Sequence, residues 1–106
     1  MQKDRTSEAG AVVRVLIPTP LRSYTDGAPV VAVGVPLLAP ESPPTLQSVL
    51  AALDGAFPGI RFRIIDEQGG MRPHIKVFVG QTAVRDVKTV VPQGTEVMIV
   101  GALSGG

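Results

Sequence analysis

The chain contains no cysteine and a single histidine, His74. The first absence removes disulfides, thiolate nucleophiles and thiolate metal sites together. The second excludes a metal site built from several histidines and leaves a Ser–His–Asp triad nothing but His74 to use. That residue lies in a stretch flanked by glycine and proline, with no nucleophile motif such as G-x-S-x-G beside it. It reads as a surface histidine ahead of a strand. A dominant charge is also missing, since 10 Lys and Arg stand against 9 Asp and Glu and the basic residues are scattered. Such a balance offers no electrostatic footprint for nucleic acid or for an anionic membrane. No apolar run approaches the roughly 20 residues that cross a bilayer as a helix. The first ten residues are polar, with Lys3, Asp4, Arg5 and Glu8, and lack the apolar stretch of a secretory signal. A cytoplasmic protein is the default expectation.

What is present suits one domain of 106 residues, 44% of them hydrophobic. Residues 1–11 are polar and aperiodic and read as a disordered leader, followed by a domain over 12–106. Val12–Ile17 is rich in β-branched residues and is stopped by Pro18 and Pro20, which predicts a strand with Val13, Val15 and Ile17 on one face and Val12, Arg14 and Leu16 on the other. Thr25-Asp26-Gly27 is a turn signal, and Val30–Val35 predicts a second strand paired with the first. Four prolines between Pro36 and Pro44 require a loop. Thr45 is a good N-cap, and Leu46, Val49, Leu50, Leu53 and Phe57 recur at helical spacing up to the Pro58-Gly59 stop. This pattern predicts a main helix over Thr45–Ala56. Arg61–Ile65 reads as a short extended piece, 66–73 as a loop, Ile75–Val79 as a strand, Thr82–Arg85 as a short strand, and Glu96–Val100 as the last strand. The expected fold is α+β, a mixed sheet of four to five strands with one main helix across one face. Its first and last strands are strongly apolar, as suits central strands, and they are expected to lie side by side and parallel, with the intervening chain as the crossover.

The chain ends Gly105-Gly106 directly after that strand and a short tail. Glycine has no Cβ, so a terminal pair enters a channel too narrow for other residues and leaves its carboxylate unhindered on a flexible tether. These properties suit a carboxylate that other enzymes must reach and activate. A frayed glycine-rich end is the bland reading of the same residues. The mid-chain pair Gly69-Gly70 is explained by a loop. A dinucleotide fingerprint over 101–106 would need a helix after it to hold a phosphate.

Val13–Thr25 (VRVLIPTPLRSYT), the Thr45–Gly59 helix ending FPG, IKVFVGQ, Gly94-Thr95-Glu96-Val97 and the terminal Gly105-Gly106 together resemble the ThiS/MoaD-type ubiquitin-like sulfur carriers. Among them the sequence is most similar to the CysO branch, which serves a cysteine synthase. The ordered match runs from about Val12 to Gly106. It departs from many members in having Gly101-Ala102-Leu103-Ser104 where they carry a proline. The resemblance implies a β-grasp fold and a protein that is a co-substrate rather than an enzyme. It implies no bound cofactor; ATP and a sulfur donor would be used by the partner enzymes. An E1-like enzyme would adenylate the Gly106 carboxylate, sulfur would displace AMP, and the resulting C-terminal thiocarboxylate would pass sulfur to a biosynthetic partner. Gly105 would supply access and flexibility. The resemblance further implies that the Val100 position and Leu103 contact the activating enzyme. Met98, which shares a strand face with Val100, and Ser104 complete the candidate contact set. Packing of Met98 or Val100 against a neighbouring loop is an equally good reading of those two residues. Arg14, Arg22 and Arg85 are candidates for polar contacts, with solvated surface charge as the plainer reading.

Other readings of the terminus stay open at this point. The acceptor enzyme differs between a cysteine synthase, a molybdopterin synthase and a thiosugar or other natural-product pathway. A ubiquitin-like modifier would join Gly106 to lysines of other proteins. In a plain interaction module the glycines would be incidental. An enzyme in its own right would need a cofactor motif, a metal cluster or a nucleophile–base pair that the sequence does not offer.

Overall fold

The computed structural model describes residues 10–37 and 42–101. Strand β1 runs over Gly10–Leu16 and alternates as expected, with Val13, Val15 and then Ile17 buried while Val12 and Arg14 face out. It begins two residues ahead of the Val12 expected, so Gly10 and Ala11, assigned to the leader, belong to the sheet. Residues 1–9 lie outside the described residues. Strand β2 (Val30–Pro36) pairs antiparallel with β1, Arg14 opposite Ala32 and Leu16 opposite Val30. Between them Thr19–Thr25 forms a 3-10 turn that periodicity does not reveal. Pro20 sits in its first turn, where a missing N–H costs nothing. Leu21 is buried beneath it, and the buried Thr25 hydroxyl bonds to the Ala28 carbonyl at 2.9 Å.

Helix α1 (Leu46–Ala56) starts at the predicted cap. The Thr45 hydroxyl accepts from the Ser48 N–H at 3.3 Å, and the Ser48 hydroxyl accepts from the Thr45 N–H at 3.0 Å, a reciprocal capping box. Leu46, Val49, Leu50 and Leu53 are each at most 1% exposed and form the core stripe; Phe57, expected on the same face, is half-buried at the C-cap. Replacing Leu53 by Ala leaves a cavity in a packed layer, so unfolding stability should fall by about 2–5 kcal/mol. Urea denaturation with an unchanged m-value checks this.

Arg61–Ile65 is not extended. Ile60–Ile64 is a short helix, α2, and only Ile65 leaves it in extended conformation, bridging to Met71. Ile60 and Ile64, four residues apart, are both fully buried. Five residues are too few for a helical period and an alternating one to be told apart. The deciding partner comes from α1, where one Asp54 carboxylate oxygen accepts from the Gly59 and Arg61 N–H groups at 3.0 and 3.1 Å. Gly59 enters α2 at φ +98°, a conformation open to glycine.

Strand β3 (Ile75–Val79) turns through Gly80-Gln81 into β4 (Thr82–Val84), and β5 (Val97–Gly101) closes the sheet. The sheet order is β2-β1-β5-β3-β4. β5 lies parallel to β1, with Val15 opposite Val97, and antiparallel to β3, with Phe78 opposite Met98. The first and last strands are therefore interior neighbours, as expected. The helices cover one sheet face, and no described helix lies on the other: a five-strand mixed sheet with one main helix, the β-grasp fold. Among the described residues no helix is long and apolar enough to cross a membrane.

Candidate functional site

β5 carries the chain toward Gly105-Gly106. Val97 and Ile99 point into the core, whereas Met98 is half-buried and Val100 is 38% exposed on the open face. The register determines what surrounds them. Leu16 of β1 and Phe78 of β3 flank Met98, Val30 lies beyond Leu16, and Ala83 lies beyond Phe78. An apolar row thus crosses the whole sheet on the face without helices, with Met98 at its centre. Lys76 stands opposite Val100 at one side of this row. On the other side Arg14 meets Glu96 at 3.4 Å, an exposed pair that contributes little to stability.

Sequence reasoning anticipates the shared face of Met98 and Val100 but misses Leu16 and Phe78 as members of the patch. The available signal is that each is a large apolar residue on the polar side of its strand's alternation. Solvent-facing apolar side chains gathered in one row mark an interaction surface.

A groove of about 420 Å³ opens where β5 ends, lined by Pro18, Pro20, Arg22, Val30, Met98 and Gly101. The Arg22 Nε donates to the Ile17 carbonyl at 2.9 Å, which holds its guanidinium at this rim. Gly101 has ordinary room for a side chain, since an added Cβ would lie 3.7 Å from Ile75 Cδ1 and 3.9 Å from the Pro18 and Pro20 rings. Gly101→Ala should therefore change stability by no more than about 0.5 kcal/mol in a thermal melt. Ala102, Leu103, Ser104, Gly105 and Gly106 lie outside the described residues. An extended chain rises at most about 3.6 Å per residue, which confines the Gly106 carboxylate to within about 18 Å of Gly101.

The three arginines offered for polar contacts all have partners within the chain. Arg14 pairs with Glu96, Arg22 binds the Ile17 carbonyl, and Arg85 donates to the Met71 carbonyl at 3.0 Å and more weakly to Ile75. Arg85 thereby ties the loop before β3 to the chain after β4. His74 is exposed in the turn before β3, as its setting implied. The arrangement is an apolar row exposed on one sheet face, crossed by the strand at which the described residues end.

Fold and face together define a ubiquitin-like β-grasp protein. No family model and no curated protein matches the chain. Among solved structures it is similar to CysO of Mycobacterium tuberculosis, described as an antigen, at 29% identity and a TM-score of 0.72 over 86% of this chain and 99% of that one. It is similar also to a chain of the BexX/CysO complex of Amycolatopsis orientalis, at 27% identity and a TM-score of 0.74 over 89% of this chain and 99% of that one. Small archaeal modifier protein SAMP1 of Haloferax volcanii shares the fold at 24% identity and a TM-score of 0.72, over 91% of this chain and all of that one. The likeness to the ThiS/MoaD-type ubiquitin-like sulfur carriers, and within them to CysO, therefore holds in three dimensions as well as in the motifs.

Proposed function

We propose that this chain is a sulfur-carrier protein that works through the Gly106 carboxylate. The observation that carries this reading is the apolar row Leu16–Met98–Phe78 on an open sheet face, with the strand at its centre running into a tail that ends Gly-Gly. The likeness to CysO supports it. A free carboxylate is a poor electrophile because its negative charge repels a nucleophile and its oxygen is a poor leaving group. Attack of the Gly106 carboxylate on the α-phosphorus of ATP in an E1-like enzyme forms the acyl adenylate and releases pyrophosphate. A sulfur nucleophile then attacks the acyl carbon, AMP departs with the bonding electron pair, and once the sulfur is freed from its donor the terminus is a thiocarboxylate. The chain has no cysteine, so no thiol side chain competes for the sulfur.

In this reading the apolar row docks on the activating enzyme, and Leu103 and Ser104 guide Gly105 and Gly106 into its active site. The acceptor is a cysteine-synthase-like enzyme. The solved BexX/CysO complex supports recognition of such a carrier by a partner protein. Exchange of labelled pyrophosphate into ATP by the host's activating enzyme tests the first step. The exchange should require this chain. An active enzyme whose exchange is indifferent to the chain would leave the interaction-module reading in its place.

A further inference from the structure

We propose that the outer edge of β2, which no described strand pairs, joins the β2 of a second copy of this chain, antiparallel and centred on Ala32, to give a continuous ten-strand sheet. The direction of the backbone groups is fixed by one bond. Ile17 donates to the Pro29 carbonyl at 2.8 Å, and the two residues fall on the β1–β2 register. Hydrogen-bonded pairs alternate along an antiparallel ladder, so Val31, Val33 and Val35 turn their backbone groups toward β1. Val30, Ala32 and Gly34 turn theirs to the outer edge. Among the described residues none of these three has another hydrogen-bond partner there.

The two sheet edges differ in how they are protected. β4 has three residues and is followed at once by Arg85 and Asp86. β2 has seven residues, none of them charged. A long, apolar, uncharged edge is a template for another strand. Its side chains offer a charged partner no ion pair, whereas a second copy meets no charge on the strand to repel it. Within β1 and β2 the like charges brought together would be the two Arg14 side chains, each one strand in from the new seam. Three strand spacings place them about 14 Å apart, beyond the ~10 Å screening length at 0.1 M salt.

The same pattern sets the register. With Ala32 opposite Ala32 of the second copy, Val30 faces Gly34 and all outward donors meet acceptors. The small Gly34 leaves room for Val30 on the open face, since nothing lies within 4 Å of where its Cβ would be. On the helix-bearing face Val31 stands opposite Val33, a favourable cross-strand pair. A shift of two residues one way would aim the Pro36 ring at the Val30 carbonyl of the other copy, where a ladder needs an N–H, and a shift the other way would set Gly34 opposite Ala28, outside β2. The interface is narrow, so association is weak and depends on concentration.

Sedimentation velocity of the full chain from about 20 µM to about 1 mM should show a reversible monomer–dimer equilibrium. Hydrogen exchange at the high concentration should slow at the Ala32 and Gly34 amides and leave the Val33 amide unchanged. Ala32→Lys places two ammonium groups directly opposite each other and should remain monomeric throughout, with an unchanged melting temperature. Lys88→Glu, away from the edge, should dimerise normally. A full chain that stays monomeric at the top concentration overturns the proposal, as does an Ala32→Lys variant that dimerises like the parent. If the full chain is monomeric and removal of residues 1–9 releases dimerisation, the leader occupies the edge and the proposal fails equally.

Discussion

Removal of Gly106 should abolish activation of this protein and leave its fold untouched. The described residues end at Gly101, and Val97 and Ile99, the buried residues of β5, lie well ahead of the position removed. The melting temperature of the shortened chain should therefore match the parent's. Its pyrophosphate exchange with the activating enzyme should fall to the background of that enzyme alone. The shortened tail ends in Gly105, which carries a carboxylate of the same chemistry, but one residue short of the reacting position by about 3.5 Å. A displacement of even 1 Å is enough to cost about a hundredfold in a positioned reaction. Reach therefore accounts for the loss. Extension by one alanine should fail as well, because it adds a Cβ at the terminal position and moves the carboxylate outward. Undiminished exchange with the Gly106 deletion would separate the glycine pair from function.

Met98→Glu produces the second large effect, by a different route. Met98 lies at the centre of the open row, flanked by Leu16 and Phe78, and its side chain is half-buried within the sheet surface. A carboxylate there remains solvated in the free protein but has to be desolvated against an apolar partner on docking. The few residues that dominate an interface cluster near its centre and cost about 2 kcal/mol or more when altered. The expected result is a fall in kcat/KM for activation of about 100-fold, equivalent to about 2.7 kcal/mol, carried mainly by a higher KM. Folding stability should change by less than about 1 kcal/mol, since the side chain is not part of the sealed core. Lys88→Glu serves as the control, because it reverses a charge in the turn beside the α1 N-terminus, where the Val87 carbonyl receives the Gln47 N–H. It should activate normally. An equal loss in both variants would point to general electrostatics rather than docking on the row.

The elements legible in the sequence are those with a period long enough to count. Val13, Val15 and Ile17 alternate without interruption, and Leu46, Val49, Leu50 and Leu53 repeat over two helical turns, so β1 and α1 can be read directly. The parallel pairing of β1 with β5 is implied by the apolar character of both strands. Helix α2 is misread as extended because Ile60, Phe62 and Ile64 alternate as well as they wind. The choice between the two is made by Asp54, a residue outside the segment. The 3-10 turn at Thr19–Thr25 is hidden for a related reason. Pro18 and Pro20 announce the end of a strand but are equally compatible with a turn, a loop or the start of a helix.

The candidate site divides in the same way. The terminal glycines are evident from the chain itself, and they lie outside the described residues. The apolar row cannot be assembled from sequence because it depends on register. Leu16, Phe78 and Met98 are far apart in the chain and meet only when β1, β5 and β3 are aligned to the residue. A slip of one position in any of these pairings would turn its side chain into the core.

The most direct test of the carrier role is the intact mass of the protein after incubation with ATP, sulfide and the host's activating enzyme. The expected product is heavier by the exchange of one oxygen for one sulfur, with the change confined to the C-terminal peptide and absent from the Gly106 deletion. An unchanged mass, with an activating enzyme shown to be active on another carrier, would contradict the account.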